Sequence, residues 1–345
     1  MKVNPIETKD LFEHGKGKAA GDPGESKQIV IQNVLPAYPD SHTLMNTKVV
    51  NQLPDMIPTD IIPAENDKKR RIKCETVLDA GGTGESSVEY AVILSVSENT
   101  PELLQRLDPF DISVLNSVCS LWLSGIEYIW AAQIYKELTG GKRPSDTMES
   151  DIDKSLNKML EMRLSYDYTA EIKRKYSEYD GQAKANGHIL ELLPITLIQG
   201  GREIDVYQIL IEPAVLTHAK SIGQLITIKR ELLAIKEVHV KQLDGGKLKR
   251  QIMNKNVSMN AGRCKVRDYL IRRIAIYKKD HKKKPQNRSQ PNRIRFDTIL
   301  NNAEIYDKRQ KTRAKDFAVN CMHFFAATGF ISDFTHDKDA IEFTI

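Results

Sequence analysis

Residues Asp307 to Phe330, DKRQKTRAKDFAVNCMHFFAATGF, constrain this chain more than any other stretch. Ala314, Phe317, Ala318, Cys321, Phe324 and Phe325 recur at three- and four-residue steps, which places them on one stripe of a helix. Lys308, Arg309, Thr312, Lys315, Asp316 and Val319 fall on the opposite face, flanked by Lys311 and Arg313. Such a helix must bury one side against a core and turn the other to solvent or to a partner. Asp307 is placed as its N-cap and Gly329 as the glycine just past its end. Phe330 and Ile331 then open a strand. Cations crowd the first three turns, where the helix dipole already favours anions. Either these side chains are solvated, or they meet a polyanion.

The charge distribution bears on that choice. The net charge of +5 is small for 345 residues, but from Lys241 to Lys315 there are 23 Lys and Arg against 6 Asp and Glu. That segment carries +17 and the remainder −12. Segregation of this size points to a polyanion partner for the C-terminal half, and makes the helix at 307–330 a DNA recognition helix in expectation. A chain of this length predicts two domains or three. Cys74, Cys119, Cys264 and Cys321 are scattered, which predicts reduced thiols in a cytoplasmic protein and neither a disulfide framework nor a zinc site. The N-terminus is polar, and no apolar run approaches the ~18–20 residues of a membrane span, so no signal peptide and no membrane partner are expected.

Three regions are expected. Residues 1–75 form a flexible N-terminal arm, with prolines at 5, 23, 36, 39, 54, 58 and 63 and few long apolar runs. Within it, Gln28–Leu35 reads as a strand or docking piece, and Asp67–Lys73 as a solvated linker or a phosphate contact. Residues 76–240 form a first module. Val88–Val96 is strand-like. A helix opens at Asp108, with Val114, Leu115, Val118, Leu121 and Trp122 on its apolar face and Gly125 at its end. A second spans about Trp130–Leu138. Ser145 caps a third, Asp146 to Arg163, whose stripe is Met148, Ile152, Leu156, Met159 and Leu160. Ile189–Ile198 and Glu203–Ile211 flank the turn Gln199-Gly-Gly-Arg202, a β-hairpin. Three helices followed by a hairpin predict a winged helix. The exposed face of its third helix (Thr147, Ser150, Asp151, Lys154, Lys158, Glu161) is electrically balanced, which suits a weak DNA reader. Dimerisation, or phosphate contact through Lys173, Arg174 and Lys175, is the expected role.

Residues 241–345 form the second, basic module. Pro213 to about Ile235 is expected to be helical at its end, with ITIKRELLAI joining the modules. Asn260–Lys279 is a helix with Val266, Leu270, Ile271, Ile274 and Tyr277 on one stripe. Lys282, Lys283 and Lys284 open a basic loop to Pro291. Arg293–Leu300 is expected as a short second helix, followed by the helix at 307–330 and a hairpin of Phe330–Phe334 with Ala340–Ile345. The order helix, helix, helix, hairpin occurs twice without visible sequence repetition. The expected fold class is therefore α+β: two winged-helix (helix-turn-helix plus β-hairpin) domains preceded by a largely irregular N-terminal arm.

Three stretches carry a family resemblance: LDPFDISVLNSVCSLWLSG (Leu107–Gly125), IYKELTGG (Ile134–Gly141) and KVRDYLIRRIAIYKK (Lys265–Lys279). In motif order and character, from Val88 to Ile345, the chain resembles the plasmid and conjugative-element replication initiators with tandem winged-helix domains, of Gram-positive type. The resemblance implies a DNA-binding protein that recognises directly repeated sites at an origin, opens AT-rich DNA beside them and recruits the host helicase or initiator. It also implies autorepression by a homodimer.

Independently of that resemblance, Lys282, Lys283, Lys284, Arg293, Arg295, Lys308, Arg309, Lys311, Arg313 and Lys315 could supply on the order of 6–10 phosphate contacts. Arg309 and Lys315 suit the O6 and N7 edge of guanine, Thr312 a thymine methyl, and Asp316 a cytosine amine. No enzyme motif stands out. GxxxxGK[ST] is absent, and GGTGESS (Gly81–Ser87) lacks the lysine. The eight histidines never occur as His-x-His, and no carboxylate cluster has metal spacing. The expectation is no catalysis, no metal and no cofactor. Three functions remain distinguishable: an origin-binding initiator, a winged-helix transcriptional regulator, and a nuclease or relaxase, the last opposed by the missing histidine and metal motifs.

Overall fold

The computed structural model describes residues 40–47, 50–51, 53–55, 60–63, 70–79, 85–94, 107–140, 143–167, 169, 172–173, 176–199, 202–243, 248–283 and 292–345. Gln28–Leu35 lies outside them. The described residues are α+β, helices together with small antiparallel sheets.

The first described strand corrects an expectation. β1 (Ser41–Met45) falls in the stretch read as an irregular arm, yet Leu44 and Met45 are wholly buried. A three-residue 3-10 turn follows at Leu53–Asp55. Then β2 (Asp60–Pro63), β3 (Arg70–Asp79) and β4 (Glu85–Leu94) pair in that order, the last close to the strand expected at 88–96.

The hub is α1 (Pro109–Leu123), in which every residue from Pro109 to Leu121 is buried. Its start is a reciprocal capping box: the Asp108 carboxylate accepts from the amides of Phe110 and Asp111, and Asp111 accepts from the amide of Asp108 at 2.7 Å. A helix buried all round must still place its polar side chains. Ser113 and Ser117 donate back to the carbonyls of Pro109 and Ser113. Asn116 and Ser120 accept from the Met45 and Thr43 amides of β1, at 2.9 and 3.3 Å. Backbone donors on a buried strand edge thus find partners on α1, and Leu44 and Met45 add the apolar burial. His42 seals the end, its Nδ1 2.7 Å from the buried carboxylate of Glu137, which also accepts from Ser120.

After β5 (Tyr128–Ile129) come α2 (Ala131–Thr139) and α3 (Asp146–Glu161), capped by Ser145 as expected. β6 (Arg163–Asp167) and β7 (Lys184–His188) form an inserted ladder, and β8 (Leu192–Gln199) turns back into β9 (Arg202–Ile209). The sheet order is β5-β9-β8. α2 ends at Gly140 with φ +74°, where an added Cβ would stand 2.6 Å from the Ala234 side chain. Gly140→Ala should therefore cost about 1–3 kcal/mol, read as a lowered urea midpoint with an unchanged m-value.

The connector also departs from expectation. α4 (Ala214–Ser221) comes first, and the segment expected to be helical is β10 (Leu225–Lys229) with one 3-10 turn at Arg230–Leu233. The alternation around Thr227, with Ile226 and Ile228 β-branched, suits a strand, and β1 supplies the partner. β11 (Lys236–Gln242) and β12 (Leu248–Asn256) make an exposed two-stranded ribbon.

The second module repeats the first. α5 (Ala261–Lys283) is followed by β13 (Asn292–Arg295), α6 (Phe296–Asn302), α7 (Lys308–Ala327), β14 (Asp333–His336) and β15 (Ala340–Thr344). The sheet order is β13-β15-β14, so in both repeats the short strand after the first helix pairs with the last strand of the hairpin. Arg293–Leu300, expected as one helix, is therefore a strand running into a helix. Asn292 and Ile294 face inward and Arg293 and Arg295 outward, the period of two that a ladder with β15 requires.

One apolar cluster runs through both repeats. Arg267, 1 % exposed, crosses it: the guanidinium pairs with Asp268 and donates to the carbonyls of Leu138, at the end of α2, and Leu233.

Candidate nucleic-acid interface

α7 has the two-sided character read from its sequence. Ala314, Phe317, Ala318, Cys321, Met322, Phe324 and Phe325 are buried. Asp307 accepts from the amides of Arg309 and Gln310, both at 3.0 Å, which fixes the first turn. Lys308, Arg309, Thr312, Arg313 and Asp316 are exposed, and Lys311 and Lys315 half-buried. Among the described residues, no carboxylate lies within ion-pair distance of Lys308, Arg309, Lys311 or Arg313. Four cations on two turns of helix are left for solvent or a ligand. The C-terminal half of α7 is covered by the β11–β12 ribbon, where Asn320 donates to the Lys236 carbonyl.

Lys315 stands apart. Its ammonium lies over the Phe296 ring at 5.2 Å and donates to the Lys338 carbonyl at 3.4 Å, tying α7 to α6 and to the tip of the β14–β15 hairpin. Asp337 closes that tip by accepting from the amides of Asp339 and Ala340, bonds that hold its carboxyl below the usual range. Arg293 is opposed by Glu342 at 3.3 Å and Asp337 at 3.9 Å, so much of its charge is answered within the sheet. Arg295 is exposed on the same outer face of β13. Lys282 and Lys283 lie in the last turn of α5, inside the helix and not in the loop expected there. Lys284, Arg174 and Lys175 lie outside the described residues.

The first repeat presents a different surface at the equivalent place. α3 holds Asp146, Glu149, Asp151, Asp153 and Glu161 against Lys154 and Lys158, a net −3, where α7 is net +4. Lys154 is exposed. Lys158 is committed inward, 2.9 Å from the buried Asp111 carboxylate, which also accepts from Ser155. It neutralises a charge that α1 needs for its cap, so it is not an open contact. Lys173 is exposed but sits between β6 and β7, not on the β8–β9 hairpin.

Asp153 shows how acidic this surface is: burial, then Asp205 and Glu149, push its carboxyl up to about 6. A raised carboxyl contributes stability below its unfolded value near 4 that is lost as pH rises through 6. Asp153→Asn should therefore stabilise the protein above pH 6 by about 1 kcal/mol, the side chain being only half-buried, and flatten the pH dependence between 4 and 6. Urea melts at pH 4.5 and 7 check this.

Sequence reasoning did not single out Lys236, Lys241, Lys249, Arg250 and Lys255 on the β11–β12 ribbon, although most fall in the basic segment. Arg250 joins the ribbon to the second repeat, pairing with Asp333 and lying 5.4 Å over the Phe334 ring. Arg272 and Arg273, on α5, were likewise missed; charge count alone does not separate them from their neighbours. Among the described residues no group of three or more His, Cys, Asp or Glu is placed to hold a metal, and no helix is long and apolar enough to cross a membrane. Cys119, Cys264 and Cys321 are buried free thiols.

No family model matches the sequence, and no curated protein matches it. Among solved structures, RctB domains 2–3 align at 9% identity and TM-score 0.40, covering 87% of this chain and 97% of that one. A selenomethionine form of domains 2 and 3 of RctB aligns at 10% identity and TM-score 0.34, covering 86% and 97%. At these scores the likeness carries no weight for function.

Proposed function

We propose that each repeat is a winged helix and that the protein is a sequence-specific, double-stranded-DNA-binding replication initiator without catalytic activity. The observation that carries this reading is the cationic half of α7. It is held rigid by a buried aromatic stripe, and among the described residues four of its cations have no acidic partner. Helix N-termini and unpaired Lys and Arg favour phosphate, and the same helix offers Arg309 and Thr312 to base edges. The resemblance of Leu107–Gly125, Ile134–Gly141 and Lys265–Lys279 to plasmid and mobile-element initiators narrows DNA binding to origin binding. On this reading the acidic first repeat serves self-association or a host replication protein, not base reading.

The runner-up is a winged-helix transcriptional regulator, which would use the same interface. A plasmid carrying only this gene and its flanking repeats separates the two. Autonomous copying supports the initiator; no copying with a retained promoter response supports the regulator.

The contacts on α7 divide further. Arg309→Ala should cost about 1–3 kcal/mol in specific binding and much less in non-specific binding. Equal losses in a competition assay would reduce Arg309 to a phosphate contact.

A further inference from the structure

We propose that the cleft between the two repeats is a phosphate-binding site. The cleft, ≈ 380 Å³, is walled by the segment after β1, by α1, by α5 and by α6. Arg272 and Arg273 project from α5 into its lining, with Asn51 on one wall and Thr298 and Asn301 on the other. Arg272 donates to the Asn51 side chain at 2.7 Å and to the Asp268 carbonyl at 3.4 Å. Among the described residues, Arg273 meets Tyr277 alone, donating to its hydroxyl at 3.4 Å and lying 5.2 Å over its ring, and its buried Nε has no hydrogen-bond partner. Among the described residues neither guanidinium has a carboxylate within ion-pair distance. Burial lowers the Arg272 guanidinium from its usual value, against the pull of Asp268.

Two adjacent guanidiniums without carboxylates, beside amide and hydroxyl donors, match the oxygens of a phosphate, which guanidinium recognises in a bidentate fork. Glu304 brings one carboxylate to the wall, so the lining carries net +1 and suits an anion over a metal ion. The volume falls within the roughly 300–1,000 Å³ of small-ligand sites. The phosphate arrives either on a free nucleotide or on the backbone of bound DNA. The first source is independent of the DNA-binding reading; the second rests on it.

The test uses the full chain and two probes, ADP and inorganic phosphate, titrated at constant ionic strength with the urea midpoint as readout. For a free ligand, one probe raises the midpoint saturably. The double variant R272Q/R273Q, and N301D at an exposed wall position, then weaken binding roughly tenfold or more, while K308Q/R309Q leaves it unchanged. For the DNA backbone, neither probe acts, and R272Q/R273Q flattens the salt dependence of DNA binding by about 0.9 in slope, as one phosphate requires. If neither probe acts and the salt slope is unchanged, or if K308Q/R309Q loses the probe equally, the proposal is overturned. A protein that binds no DNA leaves the nucleotide arm to decide alone, and silence there also overturns it.

Discussion

Replacing Lys308, Arg309, Lys311 and Arg313 together by glutamine should lower DNA affinity roughly a hundredfold or more at physiological salt. It should also flatten the dependence of log affinity on log salt by about 3.6, at ~0.9 for each phosphate that is no longer neutralised. Both effects follow from one feature: these four side chains stand on two turns of α7 and, among the described residues, none is paired with an acid. The fold should survive, because Lys308, Arg309 and Arg313 are exposed and Lys311 is half-buried, and none of them belongs to the buried stripe of Phe317, Phe324 and Phe325. An unchanged urea midpoint would show that. Glutamine keeps helix propensity and removes only charge, so a lost cap or a frayed helix is not a competing explanation. A companion variant, Lys154→Gln on α3, should change the slope by less than about one unit, since it removes at most one phosphate partner. Equal effects from the two helices would mean that the acidic repeat also meets phosphate.

Arg267→Met should destabilise the whole protein by about 3–5 kcal/mol. The substitution fits the volume and leaves the carboxylate of Asp268, 3 % exposed, without its partner in a site water does not reach. It also strips a donor from the carbonyls of Leu138, near the end of α2, and Leu233, in the 3-10 turn after β10. The double variant Arg267→Met with Asp268→Leu should recover much of the loss, since removing both charges leaves no buried ion. Because the same side chain ties α5 to the end of α2, the single variant should unfold both repeats in one transition. A urea melt with two steps, the second repeat intact in one of them, would show that the repeats are held together by other contacts.

How far the chain can be read in advance depends on whether a residue's partner lies nearby in sequence. α7, α1 and α3 are legible because their caps (Asp307, Asp108, Ser145) and stripes are local, and helical spacing alone places them. β1 is not. Its burial depends on Asn116 and Ser120, more than 70 residues away, and on a pairing with Leu225–Lys229. A short polar-flanked strand has no periodic signal of its own. β13 reads as helix in the sequence because Asn292-Arg-Ile-Arg is four residues long, too short for a period of two to win over a neighbouring helix. Among the candidate DNA-binding residues, Lys308, Arg309 and Thr312 are exposed on the face that the wheel predicts, with Arg313 exposed and Lys311 half-buried at its flanks. Lys158 does not, because the charge it answers, Asp111, is buried on another helix 47 positions earlier. Arg293 meets Glu342 and Asp337 only once the C-terminal hairpin has folded over it. Net charge counts cannot see such pairings.

Central to the proposed function is the outer face of α7 lying against DNA. Amide hydrogen exchange with and without a duplex carrying the flanking repeats measures that contact directly. The first turn, Lys308 to Lys311, is capped by Asp307 at the N-terminal end of the helix, and its amides should be slowed strongly by the duplex, with Asp146 to Glu149 of α3 unchanged. Protection confined to α3, or to neither helix while DNA is bound, would contradict it.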